Sequence, residues 1–128
     1  MTRKEHSKAL RADTQVHYNC AQSVLIPFAQ DMGLAHEQAN ALGQNFGAGM
    51  GCGSVCGAIT GAFVAMGGLG MPQEKRSQLL REFRQAHGDV HCAQLLKAAA
   101  QRGEERKCHC DRMVEWCMEW VSRESGLE

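Results

Sequence analysis

Ser54-Val55-Cys56-Gly57-Ala58-Ile59-Thr60-Gly61-Ala62-Phe63-Val64-Ala65-Met66 is the stretch on which the fold turns. It holds no proline, no charge and no period-two alternation, so it reads as a helix and not as a strand. From Gln38 to Gln73 there is no Asp, Glu, Lys or Arg, and ten of the fourteen glycines lie between Gly43 and Gly70. A membrane span needs about 20 apolar residues. The apolar run Val55 to Met71 is shorter, is broken by Gly67, Gly68 and Gly70, and is poor in Leu and Ile. The expectation is a buried, Gly-rich central helix over residues 54–66, with no membrane as partner.

Working outward, both flanks carry charge and fit amphipathic helices. Arg3 to Thr14 reads as a first helix. Asn19 reads as an N-cap, with Gln22 completing a capping box. That helix is expected to run to about Met32, kinked or split at Pro27 and stopped at Gly33. His36 to Phe46 follows, then a glycine loop over Gly47 to Gly53. Pro72 fits the start of a charged helix ending near Gly88, whose Leu79, Leu80, Phe83 and Ala86 recur at helical spacing. Asp89 is expected to cap a helix running to about Gln101. Gly103 to Lys107 reads as a charged turn before a last helix from about Cys110 to Ser122. The fold class is therefore all-α: one compact domain over residues 1–128, bundling about five to six helices.

The charge balance, 14 basic against 14 acidic residues, and only seven aromatic residues speak against a nucleic-acid partner. The polar N-terminus runs into no apolar h-region, so a reducing cytoplasm is the expected location. In that compartment seven cysteines point to metal binding or thiol chemistry rather than to a disulfide framework. An odd number cannot all pair internally.

Cys20, Cys56, Cys92 and Cys110 each fall near an expected helix start, at the head of an apolar stripe. A helix N-terminus has unpaired N–H groups and a partial positive charge, which favours the thiolate. Four such placements suggest one shared sulfur site. The same residues are candidate redox thiols and candidate ligands of an iron–sulfur cluster or another Cys-ligated metal. Cys52, Cys108, His91 and His109 are the additional or alternative ligands. The spacings Cys52-x3-Cys56 and Cys108-x-Cys110 are not standard zinc knuckles, and no Cys-x-x-Cys is present. Any centre must collect its ligands from separate helices.

Gly49, Gly53, Gly57, Gly61 and Ala65 recur every four residues. Glycine costs about 1 kcal/mol relative to alanine inside a helix, so the stripe calls for a reason. Close helix packing is one, within the chain or across a homodimer through Gly53, Gly57 and Gly61. Backbone contact with a cofactor through Gly49, Gly51, Gly53 and Gly57 is the other. The loop lacks the Gly-Lys-Ser/Thr ending of a nucleotide P-loop.

Three segments carry a family resemblance: Asn19-Cys20-Ala21-Gln22, Phe46-Gly47-Ala48-Gly49-Met50-Gly51 and Val55-Cys56-Gly57-Ala58-Ile59-Thr60-Gly61-Ala62. With Cys92 ahead of Leu95-Leu96 and Cys110 ahead of Val114, the chain resembles the redox-active proteins named for a C-GCAxxG-C-C cysteine pattern. The resemblance spans about residues 15–121. It implies a small helical protein with four characteristic cysteines and a redox role, with an unspecified redox partner. Cys52, Cys108 and Cys117 stand outside that pattern. Alongside redox activity stand two other readings, a module with a structural zinc and a dimerising interaction protein.

Overall fold

A computed structural model describes residues 1–127. Seven α-helices follow one another among the described residues: α1 (Arg3–Ala12), α2 (Cys20–Leu25), α3 (His36–Gly43), α4 (Gly57–Gly68), α5 (Glu74–His87), α6 (Cys92–Gln101) and α7 (Arg106–Ser125). Two 3-10 turns, Ile26–Phe28 and Gln30–Met32, extend α2, and a π turn covers Gly49–Gly53. The all-α expectation holds, while the number of helices exceeds the five to six expected. No helix among the described residues is long and apolar enough to cross a membrane.

Local chemistry explains the sound boundaries. The Asn19 side chain accepts from the Gln22 N–H at 2.8 Å, and the Gln22 side chain accepts from the Asn19 N–H at 2.9 Å. That is the capping box. Pro27 lacks an N–H, so α2 ends at Leu25 and the chain continues in the tighter 3-10 form. Gly33 and Gly88 stop their helices with φ of 73° and 91°.

Three helix starts differ from expectation. The central helix begins at Gly57, not Ser54, because the preceding residues pair with another segment. Val55 bridges His91, the Cys56 N–H donates to the Val90 carbonyl at 2.8 Å, and the Cys92 N–H donates to the Ser54 carbonyl at 2.6 Å. Asp89 does not cap α6. Its carboxylate accepts from the Val90 and His91 N–H groups at 2.7 and 2.9 Å, and His91 takes the cap position. The last helix starts at Arg106, four residues before Cys110, and runs to Ser125.

The core gathers α2, α4 and α7. Val24, Leu25, Ile59, Ala62, Val114, Cys117 and Val121 are fully or almost fully buried there. Burying a side chain the size of Ile59 is worth about 1.5–3 kcal/mol. Trp120 closes the α5 side, with its indole N–H donating to Glu82 at 3.1 Å.

The glycine stripe is spent inside this core. A Cβ on Gly61 would lie 2.5 Å from the Ala21 carbonyl oxygen, and one on Gly57 would lie 3.2 Å from the Cys20 Cβ. The two glycines let α4 lie directly on α2. Gly53 sits outside the helix, where a Cβ would meet the Ala93 side chain at 2.9 Å. The expected dimer face at Gly53, Gly57 and Gly61 is thus corrected: the chain's own helices occupy it.

Candidate functional site

Cys20, Cys56, Cys92 and Cys110 line a single internal cavity of about 30 Å³, together with Ala48, Gly57, Arg106, His109 and Met113. All seven cysteines carry free thiols. Cys20 opens α2, Cys56 is the N-cap residue of α4, and Cys92 opens α6. The bridge between Val55 and His91 brings the last two starts together. Cys110 reaches the same cavity from the second turn of α7, so it does not stand at a helix start.

The helix-start expectation of thiolates is reversed for three of the four. Burial pushes the Cys56 thiol up to about 11, although the Ala58 and Ile59 N–H groups pull the other way. Burial, followed by the charge of Cys110, raises Cys92. Cys20 is raised by its interaction with the Cys110 thiol and then by burial. For Cys56 and Cys92 desolvation of the charged form outweighs the half-charge of a helix end, and for Cys20 the neighbouring Cys110 and desolvation together do so. Cys110 alone is lowered, to about 7. The first cause is the neighbouring thiol of Cys20; Arg11 and Arg106 add to it. Cys117 lies fully buried and its thiol is held well above the ordinary range by desolvation.

A wider cleft of about 450 Å³ opens beside the pair. Cys20 and Cys110 line both spaces, and Arg11, Arg106 and Lys107 border the cleft. Arg11 is held in place: its Nε donates to Asp111 at 2.7 Å and its Nη1 to the Tyr18 carbonyl at 3.0 Å. The two arginines are the residues that sequence reading missed. Arg11 lies 99 positions from Cys110 and leaves no local trace. Arg106 is one helical turn before Cys110, a relation visible only once α7 is known to start there.

The remaining expected residues divide. His109 is buried in the cavity wall, and its Nδ1 has no hydrogen-bond partner among the described residues. Burial lowers its pKa, against the pull of Glu104, whose carboxylate lies 3.9 Å from Nδ1. On its other side is a cleft of about 210 Å³ bordered by His87, Arg102 and Arg112. His91 lies at the surface, its Nδ1 2.8 Å from Asp89, and Cys52 and Cys108 are exposed. None of these three lines the cysteine cavity.

The glycine loop leaves little room for a cofactor at the expected residues. At Gly49 a Cβ would lie 2.5 Å from the Ser54 nitrogen and 2.8 Å from the Cys92 Cβ, and φ is +62°. Gly53 and Gly57 are filled by Ala93 and Cys20, and only Gly51 faces open space. The loop serves instead to bring Ala48 and Cys92 to the cavity. Its cost shows in the left-handed Ala48 and Met50, at φ 55° and 59°.

Thiolates are suitable donors for iron–sulfur clusters and zinc. Yet among the described residues no three His, Cys, Asp or Glu side chains are grouped to hold an ion. With about 30 Å³ of space, the cysteines as placed do not fit a cluster.

Fold and site together define a small helical protein in which four of the seven cysteines, scattered through the chain, line one cavity. The chain belongs to the family described as "Putative redox-active protein (C_GCAxxG_C_C)", whose sequence model matches residues 18–124. No curated protein and no solved structure matches it significantly.

Proposed function

We propose that the protein is a dithiol–disulfide redox protein in which Cys110 is the attacking thiolate and Cys20 the thiol that completes the disulfide. The observation that carries this reading is that Cys20 and Cys110, and no other cysteines, line both the cavity and the open cleft, with each thiol shifting the acidity of the other. Exchange needs a thiolate near neutral pH, a second thiol within reach and access for the other disulfide. Cys110 at about 7 supplies the first, Cys20 the second and the open cleft the third. Cys56 and Cys92 remain protonated neighbours that line the far side of the cavity.

A redox titration followed by thiol counting tests the reading. The wild type is expected to lose two thiols in one two-electron step. Cys110→Ser and Cys20→Ser are each expected to abolish that step. A two-thiol step that persists in both variants contradicts the assignment. A second reading, a Cys-ligated metal or iron–sulfur centre, draws on the four thiols lining one cavity and requires them to rearrange from their present placement. Stoichiometric iron with acid-labile sulfide in anaerobically purified protein would favour it over exchange.

A further inference from the structure

If Cys20 and Cys110 act as the dithiol proposed above, the cleft beside them selects the disulfide they take. At about 450 Å³ the cleft has the size of a small-molecule pocket. Leu10, Tyr18 and Ala48 supply apolar wall, and the charged groups on it are Arg11, Arg106, Lys107 and Asp13. The carboxylate of Asp13 already accepts from the Gln15 and Val16 N–H groups at 2.8 and 3.0 Å. Arg11 and Lys107 share Asp111, at 2.7 and 3.0 Å.

Arg106 differs from all of these. Its side chain forms no hydrogen bond or ion pair with the described residues, and it is exposed. It is also the first residue of α7, whose first turn holds no acid. A cation there is disfavoured by the positive end of the helix. Beyond its pull on the cysteine thiolates, its charge has no carboxylate partner among the described residues, while it borders both the cleft and the cysteine cavity. In a chain whose charges otherwise balance, this corner is left positive.

We propose that the cleft binds a small disulfide bearing carboxylate groups, with Arg106 drawing in a carboxylate and the S–S bond lying against Cys110. The Cys110 thiolate attacks one sulfur of the substrate. A Cys110–substrate S–S bond forms, the substrate S–S bond breaks, and one thiolate leaves and takes a proton from water. Cys20 gives its proton to water and attacks the Cys110 sulfur. The Cys20–Cys110 bond forms and the second substrate thiolate leaves, to be protonated in turn. Two protein thiols are oxidised to one disulfide, and one substrate disulfide is reduced to two thiols.

The test is single-turnover oxidation of the reduced chain by 3,3′-dithiodipropionate, a dianion, and by bis(2-hydroxyethyl) disulfide, which is neutral. The readout is the ratio of the two rates, which cancels any change in Cys110 acidity, normalised to the same ratio for free 2-mercaptoethanol. The wild type is expected to favour the dianion by about tenfold in this normalised ratio. Arg106→Gln is expected to bring it close to one, and Arg106→Lys to retain most of it. About 0.5 M salt should collapse the wild-type preference by screening, a measurement that needs no variant. If both disulfides oxidise the wild type and its normalised ratio is close to one, or is unchanged in Arg106→Gln, the selection of a carboxylate by Arg106 is wrong and the dithiol reading stands. If neither disulfide oxidises the wild type faster than Cys110→Ser, both are overturned.

Discussion

Cys56 and Cys110 line the same cavity, yet their surroundings push them in opposite directions. Cys56 sits at the start of α4, has two backbone N–H groups aimed at it, and rises to about 11. Cys110 sits inside α7, with no helix end to help it, and falls to about 7. The difference lies in solvent and in full charges. Cys56 is only 6% exposed. Cys110 is half-buried, and the neighbouring Cys20 thiol and two guanidinium groups favour its charged form. A helix terminus offers about half a charge, which does not offset the desolvation of a buried thiolate. Within this site, the more acidic sulfur is set by Cys20 first and then by Arg11 and Arg106.

The strongest way to break the contrast is to lift α4 off α2. Gly61→Val would force a side chain into the Ala21 backbone. A loss of about 3 kcal/mol, at the upper end of overpacking costs, is expected in chemical denaturation. In the molecules that still fold, Cys56 should gain access to alkylating reagents. An unchanged denaturation midpoint would mean that the stripe does not set the approach of these helices.

Differential alkylation sharpens the contrast directly. At pH 7 the thiolate fraction of Cys110 exceeds that of Cys56 by more than 10³, from pKa values of about 7 and about 11. The weaker nucleophilicity of the more acidic thiol takes back part of that, leaving about a hundredfold. Peptide-resolved labelling with iodoacetamide over a pH series should place the Cys110 midpoint near 7. Equal labelling of the two sites at pH 7 would remove the distinction.

The same pair gives stability an opposite dependence on pH on either side of about 9, the ordinary thiol value. Between about 7 and 9 the unfolded chain holds the Cys110 proton and the folded chain does not, so Cys110 adds stability as pH rises. That contribution disappears as pH falls through 7. Between about 9 and 11 the folded chain keeps the Cys56 proton that the unfolded chain loses, so stability falls, by about 2 kcal/mol. Urea midpoints at pH 7, 9 and 10.5 check this, and Cys56→Ala should flatten the alkaline limb. An alkaline limb of the same slope in that variant would point to Cys117, Cys92 or Cys20, which are also raised.

The two regions also differ in how far they could be read from the sequence. Around Cys20 the reading was close to complete. Asn19 and Gln22 announce a capping box, Pro27 the end of regular helix and Gly33 the stop, and each is a local signal. The ends of α4 and α6 were less legible because the Val55–His91 bridge is a pairing between distant segments. That bridge moves both helix starts and carries Cys56 and Cys92 to one place. Around Cys110 the reading failed at the helix start. Glu105 caps α7 without a side-chain hydrogen bond, so the charged run at 104–107 resembled a turn. The meeting of four cysteines was legible from their position at the head of each apolar stripe. The acidity of one of them was not, because it depends first on Cys20 and then on Arg11, which only the folded chain places nearby.

Disulfide mapping after oxidation by one equivalent of a small disulfide tests the account most directly. Reduced protein would be oxidised at pH 7, alkylated, digested and analysed by mass spectrometry. The account predicts a Cys20–Cys110 link in most of the oxidised molecules, with Cys56, Cys92 and Cys117 recovered as thiols. A dominant Cys56–Cys92 link, or oxidation confined to the exposed Cys52 and Cys108, would contradict it.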